Sequence, residues 1–310
     1  MKIAVLGAGG VGGYFGGRWA QAGLDVTLIA RGEHLEAIQR YGIRIKSPLG
    51  DLQVPVPATD AASSIGEVDV VVVATKAWQL PAALQSVEPL IGEKTVVVGL
   101  QNGIEASQII AETVGAQRVL GGSCRIISYI DQPGVIRHAG ADPTIIVGES
   151  TGGVSKRVQR LVDALGSAEG VDIYSSSNIE SVIWKKFHFF ASVAGVSSAT
   201  QVPMGGLRSI PEVSSILRQA MDEVVAVANA AGIAMEAEIT ELSLAFVDKL
   251  PVEGTSSMQR DFAAGRRTEL ESLNGALVRL GKRLNVPVPV NEFLYAVLLP
   301  RELQAQAASE

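Results

Sequence analysis

Apolar residues in the first half of the chain come in short unbroken runs, with polar residues gathered between them. Residues 3–6 (IAVL), 26–30 (VTLIA), 69–74 (DVVVVA) and 95–100 (TVVVGL) leave few polar positions, as strands covered on both faces of a parallel sheet require. Between them, residues 32–41 have helical spacing, and 43–57 alternate around Leu49-Gly50-Asp51 as a hairpin does. Residues 119–130 and 134–148 read as strands joined by a Pro133-Gly134 turn, and are expected to extend the sheet with antiparallel strands. From about Ser175 the pattern changes. Apolar positions recur at intervals of three and four over 178–200, 211–231, 237–249, 258–284 and 291–304, with no further strand runs. The expectation is an α/β sheet domain over 1–176 followed by an all-helical domain over 177–310. No internal repeat, low-complexity tract or long linker interrupts the chain.

The first apolar run flows directly into Gly7, Gly9 and Gly12, a G-x-G-x-x-G spacing between a strand and a helix. Each glycine has a physical task. Gly7 allows a tight turn, Gly9 lets backbone approach a pyrophosphate, and Gly12 lets helix pack on strand. The helix is expected to begin near Gly10, so Gly10 and Val11 offer unpaired N–H groups at the positive end of its dipole. A tight turn without a ligand is the competing reading. The strand before, the helix after and the second strand at 26–30 favour a Rossmann-type dinucleotide site.

The end of that second strand selects the dinucleotide. An acidic residue there accepts the ribose 2′-hydroxyl of NAD, whereas a 2′-phosphate wants a cation. The chain has Arg31, whose guanidinium can grip a phosphate with two parallel hydrogen bonds, so NADP (as NADPH) is the expected cofactor. The alternative is a solvated arginine at a strand end. Lys76, after the valine strand, and Asn102, after the strand at 95–100, both leave carboxyl ends of strands, where ligands bind in open parallel sheets. Asn102 can donate and accept toward a ribose, a nicotinamide amide or a substrate carboxylate, or instead form a local turn capping the next helix.

Composition narrows the classes. Hydrophobic residues at 47% and charged residues at 19% describe a well-packed globular protein of about two domains. The net charge of −6 disfavours nucleic acid as a partner. Cys124 is the only cysteine, which excludes an intramolecular disulfide and thiolate-rich metal sites. His34, His138 and His188 lack a metal-ligand spacing and read as ordinary residues, so no metal is expected. The first apolar run is too short for a signal peptide and no segment reaches the ~18 consecutive apolar residues of a membrane span, so a cytoplasmic protein without membrane contact is expected.

Trp184-Lys185-Lys186-Phe187, then Ser256-Ser257-Met258 with Asp261, then Gly265-Arg266-Arg267-Thr268-Glu269, resemble the signature of the ketopantoate reductases, the NADPH-dependent 2-dehydropantoate 2-reductases. Gly7 to Gly12, Thr75 to Gln79 and Gln101 to Gly103 look like that family's cofactor-side motifs, in matching order and separation, so the resemblance spans the chain. It implies a helical domain similar to the C-terminal domain of 6-phosphogluconate dehydrogenase, and reduction of a 2-oxo acid to an (R)-2-hydroxy acid, with ketopantoate and pantothenate synthesis as the default. By similarity Lys186 is the general acid, and helical spacing sets it on one face with Ile183 and Phe190 while Lys185 points elsewhere. Glu269 matches the glutamate that contacts substrate and steadies the lysine. Ser257 matches the serine that hydrogen-bonds the 2-oxo acid, with a helix N-cap as the competing role. Asp261 reads as a first-turn helix carboxylate near Arg266.

The chain departs from the family pattern at Phe190 and Ala194, four and eight residues beyond Lys186, where characterised members carry substrate-holding asparagines. This leaves the identity of the 2-oxo acid open. A D-2-hydroxyacid dehydrogenase for apolar branched 2-oxo acids, or an NADP-binding sensor without turnover, are the alternatives. The expected partners are a small-molecule 2-oxo acid and, in an assembly the sequence leaves open, a second copy of the chain.

Overall fold

A computed structural model describes residues 1–308, which form two compact units. Unit 1 comprises Met1–Gln101 and Ala106–Val182; unit 2 comprises Asn102–Glu105 and the described residues from Ile183 onward.

Unit 1 runs β1 (Lys2–Leu6), α1 (Gly10–Gln21), β2 (Asp25–Ile29), α2 (Gly32–Tyr41), β3 (Ile43–Lys46), β4 (Leu52–Val54), β5 (Ala58–Thr59), β6 (Val68–Val73), α3 (Leu80–Leu84), β7 (Ile91–Gly99), α4 (Ala106–Val114), β8 (Val119–Gln132), β9 (Val135–Gly148), α5 (Lys156–Leu165) and β10 (Asp172–Ser175). The strands lie in the order β4-β3-β9-β8-β7-β6-β1-β2-β5, with β10 beside β9. Parallel pairing of β1 with β2 and β6, and of β6 with β7, puts the apolar runs at the centre. Ile3 and Val5 of β1 pack with Tyr14, Phe15 and Trp19 of α1, while Ala4 and Leu6 pack on the other face with Leu80 of α3 and Ile110 of α4. Two covered faces explain why these strands show no polar alternation.

One expectation for the sheet is corrected. β8 enters it parallel to β7, through Val97–Val119 and Val98–Leu120, and is antiparallel to β9 alone; the other antiparallel pair, β3–β4, is the hairpin expected around Leu49-Gly50-Asp51. The cause is α4, which supplies the crossover that a parallel return needs. The helix α5 and strand β10 went unread in the sequence. Their cues are a capping serine, Ser155, whose Oγ accepts from Val158 N–H at 3.3 Å, and a short strand parallel to β9.

Unit 2 is helical beyond its first four residues: α6 (Ile179–Thr200) continues into it from unit 1 and is followed by α7 (Met204–Ser209), α8 (Pro211–Ala230), α9 (Ile239–Lys249), α10 (Ser257–Ala263), α11 (Ala276–Leu284) and α12 (Pro289–Ala307). The periodic stretch 258–284 is not one helix. It breaks after α10 where Gly265 takes φ +65°, and resumes through a π-helical turn, Glu271–Gly275, before α11. A long-range bond holds the break open: buried Glu302 of α12 accepts from Thr268 N–H at 3.0 Å and Thr268 Oγ1 at 2.6 Å. A π turn of this kind often marks a functional segment.

Behind α6, His188 is buried with Nδ1 3.2 Å from Ser243 Oγ and Nε2 3.4 Å from Thr240 Oγ1, and Thr240 donates to Asp222 at 2.9 Å. Because the Thr240 proton is committed to Asp222, the Thr240 oxygen accepts from Nε2–H, and in the neutral ring Nδ1 accepts from the Ser243 hydroxyl. Burial pushes its pKa down from 6.5 to about 4, against the opposing charge of Asp222. The unfolded chain therefore binds this proton first as pH falls, and the stability present above pH 6.5 is lost between 6.5 and about 4. That interval corresponds to about 3 kcal/mol at 1.36 kcal/mol per unit. Thermal melts across this range should show a steep acid limb that His188→Gln flattens. An unchanged limb would mean that other groups govern acid unfolding.

Candidate active site

The glycine loop of unit 1 has the geometry its spacing asks for. Gly7 takes φ +99°, and a Cβ there would meet Thr75 Cγ2 at 2.8 Å, so only glycine makes this turn. A Cβ on Gly12 would meet Gly7 O at 2.1 Å and Val5 Cγ1 at 2.9 Å, the close helix–strand contact. Around Gly9 the space is open, with no atom within 4 Å of an added Cβ. Gly9 is the N-cap of α1 and lends no side chain to the helix end; the first helical bond runs from Gly13 N–H to Gly9 O at 2.7 Å. The N–H groups of Gly10, Val11 and Gly12 precede that bond and remain available to an anion. Gly10 also has a packing reason that spacing alone did not reveal: a Cβ would strike Ser128 O of β8 at 2.4 Å.

Arg31 follows β2 as the N-cap of α2, its carbonyl accepting from Leu35 N–H at 3.3 Å, while its exposed guanidinium forms no hydrogen bond or ion pair with another described residue. A cation at the carboxyl end of the second strand, beside an open glycine loop, fits a dinucleotide carrying a 2′-phosphate. Lys76 is exposed at the end of β6, in a turn closed by its own N–H bond to Gln79 Oε1 at 3.2 Å. Gln101, at the end of β7, went unnoticed in the sequence as a support: its Nε2 donates to Val73 O at 3.1 Å and Thr75 O at 3.3 Å. It thereby braces the segment that backs Gly7.

Unit 2 gathers the residues expected to do chemistry. Segment 102–105 belongs here. Asn102 Nδ2 donates to Glu269 Oε2 at 2.9 Å, which replaces the local helix-capping alternative. Gly103, at φ +103°, lies so close to the π turn that a Cβ would meet Ser272 O at 2.6 Å. Ile104 packs in the helical core and Glu105 pairs with Arg279 at 2.9 Å. Glu269 is thus a buried carboxylate held by a side-chain amide.

Lys186 is half-buried on α6, its Nζ 5.2 Å from the Phe190 ring centroid. Its ammonium forms no hydrogen bond or ion pair with another described residue, so the expected steadying by Glu269 is not a direct pair in this structure. Lys185, in contrast, is bonded to Glu236. Helical spacing had separated the two lysines correctly. Ser256, rather than Ser257, caps α10: its Oγ accepts from Gln259 N–H at 3.1 Å and lies 3.0 Å from Ser197 Oγ of α6. Ser257 is the first helical residue, half-buried, and free of the capping role. Asp261 is the fifth residue of α10, beyond its first turn, and pairs with Arg266 at 2.7 Å.

The departures from the family pattern divide. Phe190 is half-buried beside Lys186 and meets Phe189 edge-to-face at 5.7 Å. Ala194 is 3% exposed within the cluster of Trp184, Phe187 and Ala191, and so belongs to the helical core rather than to an open wall.

A βαβ glycine loop with space for a pyrophosphate, and a helical unit presenting a lysine that no described carboxylate engages, define a nicotinamide-dinucleotide oxidoreductase. Residues 3–152 match the family described as Ketopantoate reductase PanE/ApbA, and residues 178–302 match its C-terminal counterpart. The chain belongs to the ketopantoate reductase family. An uncharacterised oxidoreductase of Bacillus subtilis (strain 168) is 33% identical, over 96% of this chain and 98% of the relative. A PanE/ApbA family ketopantoate reductase from Ralstonia eutropha JMP134 superposes with TM-score 0.91 at 30% identity, over 99% of this chain and 100% of that one. A D-mandelate dehydrogenase in ternary complex with NADH and anilino(oxo)acetate gives TM-score 0.89 at 26% identity, over 99% of each chain. Among the described residues, no helix is long and apolar enough to cross a membrane.

Proposed function

We propose that the protein reduces a 2-oxo acid to the (R)-2-hydroxy acid with NADPH, ketopantoate being the default substrate. The observation that carries this reading is the half-buried Lys186, whose ammonium is engaged by no described carboxylate while its neighbour Lys185 is bonded to Glu236. A bound nicotinamide would supply the hydride. The Gly9–Gly12 amides would hold the pyrophosphate, and Arg31 the 2′-phosphate. Hydride arrival leaves negative charge on the substrate oxygen, and Lys186 Nζ–H meets it by donating a proton. Ser257 Oγ would hydrogen-bond the substrate. Glu269 would accept from it, its carboxylate oriented by the 2.9 Å bond from Asn102. Consumption of NADPH with a panel of 2-oxo acids tests the reading, and absence of turnover with all of them would leave the non-catalytic sensor.

A second reading, reduction of apolar 2-oxo acids by a D-2-hydroxyacid dehydrogenase, is favoured by one observation: Phe190 lies against Lys186 where family members place an amide. The D-mandelate dehydrogenase neighbour, with its bound aryl 2-oxo acid analogue, is compatible with it. A buried substrate hydroxyl that finds no partner costs about 1–3 kcal/mol. Plain branched 2-oxo acids should then be reduced with kcat/KM comparable to or better than ketopantoate, and Phe190→Asn should move the ratio toward ketopantoate by about tenfold. Steady-state kinetics on ketopantoate and 2-oxoisovalerate decide it. A wild-type preference for ketopantoate of about a hundredfold would reject the apolar pocket.

A further inference from the structure

We infer that His34 is a positioning residue for the dinucleotide, a neutral imidazole that orients the peptide carrying the Gly9 N–H. The inference rests on the glycine loop being the dinucleotide site. His34 stands in the first turn of α2, three residues after Arg31. Its Nε2 lies 2.8 Å from Ala8 O, and its Nδ1 accepts from Gly134 N–H at 3.0 Å. A backbone N–H can only donate, so Nδ1 must be the unprotonated nitrogen and Nε2 carries the hydrogen given to Ala8. The tautomer is thereby set by the backbone. Burial, the dominant influence on this ring, lowers its pKa from 6.5 and supports the neutral form.

The Ala8 carbonyl is well placed for such control. It precedes the first bond of α1, Gly13 N–H to Gly9 O, and is outside that helix's ladder. The N–H groups of Gly7 and Ala8 are already committed to Ile29 O of β2, at 3.1 Å each. What remains to be set is the Ala8–Gly9 peptide plane. In a trans peptide the carbonyl and the following N–H point in opposite directions, and no described peptide here is cis. Holding Ala8 O toward His34 therefore turns Gly9 N–H away from it, at the glycine where the space is open. The far side of the clamp is firm: Gly134 takes φ +76° in the β8–β9 turn, and its carbonyl accepts from Arg44 N–H at 2.9 Å.

Fluorescence titration of NADPH and NADH against wild type, His34→Ala, His34→Gln and His34→Asn tests this. His34→Ala should raise Kd for both dinucleotides by the same factor, about tenfold, with the kinetic effect on cofactor KM rather than on kcat. Glutamine places an amide nitrogen where Nε2 stood and should restore affinity; asparagine reaches only the Nδ1 position and should resemble alanine. Equal binding by His34→Ala and wild type, loss of NADPH affinity alone, or failure of glutamine to rescue would each overturn the proposal. Wild type that binds neither dinucleotide would instead overturn the glycine-loop reading, and the clamp with it. Should His34→Ala not fold, the glutamine and asparagine variants still decide, together with the nitrogen spectrum of ¹⁵N-histidine-labelled wild type. There His34 should be the neutral Nε2–H form at pH 7, and an Nδ1–H or cationic ring would reject the clamp.

Discussion

On the proposed reading, Lys186→Ala should lower kcat by about 10²- to 10⁴-fold while NADPH affinity survives, because general-acid donation to a developing alkoxide contributes that much and the dinucleotide would be held by other residues. Lys186→Arg is the sharper variant. It keeps the charge, but a guanidinium does not release its proton near neutral pH, so turnover should still fall well below wild type. Lys185→Ala should be nearly silent, since the Lys185–Glu236 pair is solvent-exposed and such pairs contribute little. Single-turnover rates at saturating NADPH would measure all three. A Lys186→Ala protein retaining half the wild-type rate would remove Lys186 from the role of general acid.

Arg31→Ala should weaken NADPH by about 10- to 100-fold and leave NADH nearly unchanged. A charge-assisted contact to a 2′-phosphate contributes about 1.5–3 kcal/mol, and NADH has no phosphate there to lose. The motivation is an exposed guanidinium at the end of β2 that no described residue engages. Equilibrium titration with both cofactors separates this role from that of His34, which should affect the two dinucleotides alike. Equal losses in Arg31→Ala would place the guanidinium elsewhere. A wild-type enzyme preferring NADH, the cofactor present in the D-mandelate dehydrogenase complex, would reverse the cofactor assignment.

The legible parts of this protein are those decided by neighbours in sequence. An apolar run covered on both faces becomes a central strand wherever it occurs, so β1, β2, β6 and β7 could be read within a few residues of their ends. Glycine spacing was informative for the same reason, because the strand–turn–helix that needs it spans only 2–21. The break at Gly265 was illegible. Apolar periodicity continues across it, and the bond that stabilises it comes from Glu302, 34 residues beyond Thr268. The sense of β8 was equally hidden, since it depends on where α4 returns the chain.

The sequence by itself determined a dinucleotide-binding sheet unit, a helical unit, a cation at the end of β2, and the placing of Lys186 and Lys185 on different faces of one helix. These follow from periodicity, from backbone freedom at glycine and from helical geometry, which act over a few residues. Tertiary structure alone decided which groups meet. Asn102 reaches Glu269 across 167 residues, His34 accepts from Gly134 across 100, and Ala194 withdraws into the core while Phe190 stays beside Lys186. Each of these depends on burying a polar or apolar group with a particular partner, and a linear pattern specifies that a group needs burial or a bond without specifying which distant segment supplies it.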